Sequence, residues 1–196
     1  MGFDYRKATQ SLNYFAQKEG GIINKLKALK LVFLADRYHL RKYGRLITND
    51  EYFAMGLGPV ASRTADIAEK NSFIGDEEKS YSTPFVKTKG RLNIASSKAP
   101  DLEVFSDSDI EALDFAWGEL GNLKQFDAAD ITHYYPEWFK HKKELDITKR
   151  VLMDINDFLE DPIRQDINKC FELSEDMKKS RREQIKEMNY LESLWV

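Results

Sequence analysis

Four polar residues around position 135 have the types and spacing of metal ligands. Asp130, His133, Glu137 and His141 are separated by three, four and four residues, so a continuous helix would place them on roughly one face. Zinc requires its ligands to converge on one point, and a single helix seldom supplies all of them. We therefore interpret the four residues as a polar face in which His133 is hydrogen-bonded at a helix contact, and we expect no metal or cofactor.

Other patterns of catalytic residues have even less support. Cys170 is the only cysteine, so it can form no internal disulfide, and no histidine lies beside it in the sequence. The sequence has no GxSxG motif, and Gly20-Gly21 lacks the lysine and serine context of a phosphate-binding loop. No pair of carboxylates stands out for acid–base chemistry. We expect that the protein is not an enzyme.

A polar cluster interrupts the most apolar segment of the chain. Asp36, Arg37, Tyr38 and His39 are consecutive within it. In one interpretation, an aspartate beside an arginine on a buried helix forms an internal ion pair that fixes neighbouring loops. In the other, Arg37, Tyr38 and Arg41 project into the groove of a partner, since arginine and tyrosine are enriched at interface hot spots. Both interpretations stay open at this point.

The same segment and its exit are rich in basic residues, and only Asp36 opposes them. The basic residues are Lys25, Lys27, Lys30, Arg37, Arg41, Lys42 and Arg45. We expect a solvated helix edge or pairing with acidic segments elsewhere, then an acidic patch of a partner, and nucleic acid last. The whole chain of 196 residues has a net charge of −3, which gives no global attraction to a polyanion.

Apolar periodicity predicts a mainly α protein built around one central hydrophobic helix. Residues 4–18 are predicted to form a first helix that ends at Gly20-Gly21. Asn24 is placed to cap a second helix, which ends near Tyr43 because Gly44 supplies a left-handed residue. The apolar residues of this second helix lie on more than one face, so we expect neighbours to pack on several sides of it.

The predicted β structure is small. A short strand is expected at Tyr52–Met55, and Gly58-Pro59 is expected to open a helix to about Lys70, since proline suits the first helical position. Alternating apolar residues between 77 and 97, including Tyr81, lie on either side of a Lys89-Gly90 turn. This alternation predicts a small antiparallel hairpin or sheet on the helical body.

The second half of the chain is predicted to be helical. Ser108 and Glu111 match a capping box, and a further helix is expected over residues 127–143, with a kink or early break at Pro136. Residues 163–196 are assigned to a C-terminal helical extension beyond a domain of residues 1–162. Its sparse apolar stripe makes it amphipathic, and the stripe is too narrow for a core helix but suits a surface groove or a partner.

Several motifs follow one another in an order that resembles a known family. KALKLVFLADRYHL at residues 27–40 is followed by Tyr43-Gly44-Arg45 and by Gly58-Pro59-Val60. The pattern continues in the second half of the chain with Ser106, Thr132, His133 and Trp138. Together they resemble the Panacea domain, the SocA-like and partly phage-associated antitoxin family. The resemblance extends from about Tyr5 to about Pro162.

The resemblance implies a binding protein that neutralises a cognate toxin encoded beside it, or an adaptor that delivers the toxin to a cellular protease. A nucleic-acid-binding regulator is the less favoured alternative. Neither a secretion signal nor an apolar run long enough to span a bilayer is evident, so we expect a cytoplasmic location without membrane contact. The predicted partner-binding residues are Arg37, Tyr38, Arg41, Tyr52, Met55, Pro59, Ile185, Met188, Leu191 and Trp195.

Overall fold

The computed structural model describes residues 2–164, 166–167 and 172–194. Within them the protein is mainly helical and carries small antiparallel sheets, as the sequence predicts. The helices are α1 (Tyr5–Lys18), α2 (Lys25–Tyr43), α3 (Ser62–Glu69), α4 (Asp76–Ser82), α5 (Asp107–Leu120), α6 (Gln125–Thr132), α7 (Pro136–Phe139) and α8 (Glu175–Ser193). Short 3-10 turns lie at Leu102–Val104, Glu144–Asp146 and Ile155–Leu159. None of the helices in the described ranges combines the length and apolar character needed to cross a bilayer.

Six strands form two separate three-stranded antiparallel sheets in the described residues. The first sheet has the order β1-β5-β4, and the second has the order β3-β2-β6. The strands are β1 (Ile22–Asn24), β2 (Tyr52–Met55), β3 (Gly58–Ala61), β4 (Val86–Lys89), β5 (Asn93–Ser96) and β6 (Arg150–Leu152). The predicted strand at residues 52–55 and the predicted hairpin around Lys89-Gly90 are both confirmed.

Helix α2 begins and ends where the sequence predicts. The Asn24 side chain accepts hydrogen bonds from the N–H groups of Leu26 and Lys27, and Gly44 ends the helix with φ of 82°. Between these caps nearly every residue is buried. The Phe33 ring contacts three other aromatic rings edge-on, with centroids 5.5 to 5.8 Å away; they belong to Tyr52, Tyr135 and Phe158. These contacts join α2 to β2, to the start of α7 and to the last 3-10 turn.

The predicted helix at Gly58-Pro59 is wrong, because these residues form β3. Gly58 lies opposite Met55 and closes a tight hairpin, and Pro59 lies opposite Ala54. Gly58 has φ of 93°, which is incompatible with a right-handed helix. The helical preference of proline at a first position is therefore overridden by pairing with β2, and α3 begins only at Ser62.

Two other local predictions are wrong, and a third is confirmed in part. The capping box of α5 is formed by Ser106 and Asp109, not by Ser108 and Glu111. Tyr81 belongs to α4, not to a strand. The single helix predicted over residues 127–143 is divided into α6 and α7, and Pro136 is the first residue of α7, so the predicted break is confirmed.

The close approach at Gly58 predicts a measurable penalty for adding one methyl group. A Cβ at this position would lie 2.5 Å from Thr132 Oγ1 and 3.1 Å from Lys30 Nζ, whereas a Cβ at Gly20 would meet nothing within 4 Å. Gly20 and Gly58 have nearly equal φ values of 91° and 93°, so their backbone strain cancels in a comparison. We expect Gly58→Ala to lower the free energy of unfolding by about 1–3 kcal/mol more than Gly20→Ala. Equal losses in urea denaturation would contradict the packing at Gly58.

Candidate partner-binding surface

Most of the basic side chains of α2 are engaged inside the protein. Lys27 pairs with Glu19 at 2.6 Å, Arg37 with Glu137 at 2.7 Å, and Arg41 with Asp161 at 2.5 Å. Lys42 and Arg45 pair with carboxylates of α5, which are Glu111 and Asp109 respectively. The interpretation that these basic residues pair with acidic segments elsewhere is confirmed for these five. Their charges are thus compensated by carboxylates of the chain itself.

Arg37 and Arg41 lie side by side in the interior. Arg37 donates to Glu137 Oε1 and, at 2.5 Å, to the carbonyl of Glu160. Arg41 donates to the carbonyls of Leu159 and Glu160. Only 3% of each residue is exposed. The two guanidinium groups therefore do not project outward as expected, and partner binding by them stays a prediction that these contacts do not support.

Asp36 holds the loop that follows α2, and it does not pair with Arg37. Its carboxylate accepts hydrogen bonds from the N–H groups of Ile47 and Thr48 and, at 2.7 Å, from the hydroxyl of Tyr52. Burial raises the pKa of Asp36 to about 6, although these donors oppose the shift. The Tyr52 side chain that makes this hydrogen bond is itself fully buried. The idea that this cluster fixes a neighbouring loop is thus correct for Asp36, but its partners are loop groups and not an arginine.

Lys30 connects α2 to the hairpin of β2 and β3. Its ammonium group is fully buried and donates to the carbonyl of Pro59 at 2.6 Å. Burial lowers the pKa of Lys30 to about 7. The other strand of the hairpin is held by Trp138, whose indole N–H donates to the carbonyl of Met55 at 2.8 Å. Pro59 is buried, whereas Met55 is half-buried.

The four residues with metal-like spacing do not converge. The Glu137 carboxylate is buried against Arg37, and burial raises its pKa. The His133 ring stacks on Trp138 with centroids 3.9 Å apart, and its buried Nε2 has no hydrogen-bond partner among the described residues, contrary to expectation. Among the described residues, no three or more His, Cys, Asp or Glu side chains lie together in a group that could hold a metal ion.

Tyr38 lies at the surface edge of the α2–α5 contact. Its ring stacks on Phe115 at 4.2 Å, and its hydroxyl donates to Glu111 at 2.6 Å. Lys42 and Tyr43 reach the same carboxylate. These contacts leave Tyr38 half-buried, so part of its ring edge remains accessible to a partner.

The sheet of β3, β2 and β6 exposes one apolar face, which we call the outer sheet face. Phe53 is paired with Val60 on one side and with Leu152 on the other, so these three side chains share a face. Met55 lies in the next row beside Arg150. Phe53, Val60 and Met55 are half-buried, and Leu152 is 57% exposed. Of these residues only Met55 is among the predicted binding residues.

The C-terminal helix packs back on the body of the protein. Arg181 donates to the carbonyl oxygens of Arg41 and Lys42 at the end of α2, and Lys178 pairs with Asp161 at 3.2 Å. Among the predicted binding residues of this segment, Ile185 is buried, Met188 is half-buried and Leu191 is 49% exposed. Trp195 lies outside the described residues. The apolar stripe of α8 thus packs on the rest of the chain at Ile185.

Comparison with models of protein families shows which family the chain belongs to. The family model described as "Antitoxin SocA-like, Panacea domain" matches residues 29–139, from the first turns of α2 to the end of α7. The match covers more than half of the 196 residues. The chain belongs to this family, as the sequence motifs indicate. Searches of curated proteins and of solved structures found no match.

The buried ion pair between Arg37 and Glu137 predicts a large loss of stability when the arginine is replaced by an uncharged residue. Arg37→Met leaves the Glu137 carboxylate buried without its partner, and we expect a loss of about 3–5 kcal/mol in the free energy of unfolding. Lys18→Met is the matched control, because Lys18 pairs with Asp114 where their side chains are 37% and 51% exposed. That pair should contribute less than about 1 kcal/mol. Equal losses in chemical denaturation would show that the Arg37 pair is not structural.

The buried amine of Lys30 predicts a pH dependence of stability. The pKa of Lys30 is lowered from 10.5 to about 7 on folding, so the folded state binds fewer protons than the unfolded state between these values. Stability must therefore rise with pH above 7. Relative to Lys30→Met, which does not titrate, the wild type should gain about 2 kcal/mol between about pH 7 and pH 9. A difference that stays constant over this range in urea denaturation would contradict the burial of the amine.

Proposed function

We propose that this protein is an antitoxin that binds a cognate protein toxin and neutralises it by direct contact. The observation that carries the proposal is membership of the SocA-like antitoxin family over residues 29–139. The matched region contains α2 and the carboxylates that neutralise its cations on α5 and α7, so the family region includes the internal scaffold. A scaffold of this kind can hold a surface of variable side chains without depending on them for folding.

The outer sheet face is the contact surface that we assign to the toxin. Its partly exposed apolar side chains are Phe53, Val60 and Leu152 in one row and Met55 in the next. The guanidinium of Arg150 lies 4.8 Å from the centre of the Phe53 ring. Aromatic side chains and arginine are enriched at the energetic centres of interfaces. Leu57, at the tip of the β2–β3 hairpin, is 53% exposed and extends the same apolar surface.

A second contact on α8 would complete an interface of ordinary size. A stable complex buries about 800 Å² on each partner, which is more than three short strands offer. The exposed apolar residues described in α8 are Met177, Tyr190 and Leu191, and Leu194 directly follows the helix. We propose that a toxin contacts this side of α8, while Ile185 holds the opposite side on the chain itself.

Neutralisation by occlusion requires shape and buried area, and no catalytic residue. We therefore propose that the protein acts as a binding protein in the cytoplasm and not as an enzyme. Stability of the toxin separates occlusion from delivery to a protease. A toxin whose half-life is unchanged in the presence of this protein supports occlusion, and a toxin that disappears only in cells with an active protease supports an adaptor.

A charge on the outer sheet face should weaken neutralisation. We expect Leu152→Asp to weaken binding to the toxin, taken as the product of a neighbouring gene that is toxic when expressed alone, by about 30-fold, or about 2 kcal/mol. The reason is that burial of a carboxylate in an apolar contact is unfavourable. Growth of cells that express both genes and titration calorimetry of the purified pair measure the effect.

The matched control is Leu102→Asp, because Leu102 is 50% exposed in a 3-10 turn that packs near α1 and not on this sheet. Circular dichroism must show that both variants are folded. Neutralisation by Leu152→Asp at the level of the control would remove the outer sheet face from the interface. Failure of the wild-type protein to rescue growth with any neighbouring toxic gene would contradict the antitoxin function itself.

A further inference from the structure

The hairpin of β4 and β5 carries a concentration of cations without carboxylates. Residues 79–98 contain five basic side chains and no aspartate or glutamate. All five are exposed, and they are Lys79, Lys87, Lys89, Arg91 and Lys98. We call these five residues the hairpin cations. In a chain with a net charge of −3, this segment has the opposite sign to the whole.

The hairpin cations differ from the basic residues of α2 in lacking internal partners. Among the described residues, none of the five forms an ion pair, whereas Arg37, Arg41 and Lys42 each pair with a carboxylate of another element. Lys98 lies 5.2 Å above the ring of Phe85, which is a cation–π contact and leaves its charge uncompensated. Arg37, Arg41 and Lys42 are thus neutralised by carboxylates of the chain, whereas the hairpin cations keep an uncompensated positive charge.

The register of the first sheet places Lys87 and Lys89 on one outward face. Val86 and Ile94 are buried, so the face that carries Lys87 and Lys89 is the one turned away from the core. Nearby, Lys70 reaches the hydroxyls of Ser82 and Thr83. Burial, and then repulsion from Lys79 and Lys87, lowers the pKa of Lys70. The positive charges are therefore close enough to interact unfavourably in the free protein.

Protection of a sheet edge accounts for only part of this pattern. Lysine on an edge strand such as β4 discourages pairing with another chain, which explains Lys87 and Lys89. It does not explain Lys79 in α4, Lys98 beyond β5, or the lack of any carboxylate across the whole segment. Uncompensated repulsion of this kind lowers stability unless a partner of opposite charge binds.

We propose that the hairpin cations bind an acidic surface of the toxin and steer its association. The proposal rests on the proposed function, and it adds the chemistry of the partner. A protein fits this surface better than nucleic acid, because Leu92 is 64% exposed and Ile22 is 40% exposed on or beside the same sheet. Apolar side chains among charges are typical of protein interfaces, whereas binding of single-stranded nucleic acid relies on aromatic rings that stack with bases.

The test is a charge reversal measured as an association rate. We expect the triple variant Lys87→Glu, Lys89→Glu and Arg91→Glu to associate about 10-fold more slowly than wild type, at low salt, with the toxin that the protein neutralises. The difference should shrink at high salt, where exposed charges are screened. The control reverses three exposed lysines that lie outside the hairpin, the outer sheet face and α8 and that form no ion pair in the described residues: Lys124, Lys142 and Lys143. An association rate in the hairpin variant equal to that of the control would overturn the proposal.

Two labelled probes test the surface without the toxin. A glutamate homopeptide should bind wild type at low salt and lose binding in the hairpin variant, and a single-stranded RNA of equal length should bind no more tightly than the peptide. Tighter RNA binding, or no peptide binding, would overturn the proposal of an acidic protein partner. If no toxic gene is neutralised, the antitoxin function fails, while the peptide measurement still decides whether the hairpin cations bind acidic protein.

Discussion

The structure depends on one constraint, which is that α2 lies at the centre of the protein and carries charged side chains into the interior. A buried charge is tolerated only when a partner of opposite charge or several hydrogen bonds compensate its desolvation. Glu137 supplies this compensation for Arg37, and Asp161 supplies it for Arg41 together with the carbonyls of the last 3-10 turn. The neighbours of α2 are therefore held in place by charge as well as by apolar packing.

The same constraint explains why short irregular segments are well positioned. Asp36 bonds to the N–H groups of the loop after α2, and Lys30 bonds to the carbonyl of Pro59 in β3. Both groups are fully buried, and burial shifts the pKa of each toward its neutral form. The hairpin of β2 and β3 is thus held from α2 through Lys30 on β3 and through Asp36 and Phe33, which both contact Tyr52 of β2.

Local signals in the sequence predict local structure here, and they fail where pairing is between distant residues. Asn24 and Gly44 bound α2 as predicted, because capping depends on neighbours in the chain. Gly58-Pro59 has the local pattern of a helix start, but pairing with β2 determines its structure. The helix after residue 105 offers two overlapping capping patterns, and the local motif does not distinguish Ser106 from Ser108.

The candidate surfaces were less predictable than the fold. The ion pair of Arg37 joins residues 100 positions apart, so the sequence indicates pairing with an acidic segment but does not identify Glu137 as the partner. Met55 was predicted from its place beside the glycines. Val60 and Leu152 join its face only because β3 and β6 pair with β2. The run of cations in residues 79–98 is visible in the sequence, but its lack of carboxylate partners is a property of the folded chain.

The two sheets therefore present different chemistry on a common helical body. One outer face is apolar and flanked by Arg150, and the other is basic and flanked by Leu92. The most direct test of whether binding uses these faces is hydrogen–deuterium exchange of the chain with and without the toxin that it neutralises. Slower exchange in residues 52–61, 86–96 and 150–152, and in α8, with α2 unchanged, is the predicted result. Protection confined to other segments, or an absence of any complex, would contradict it.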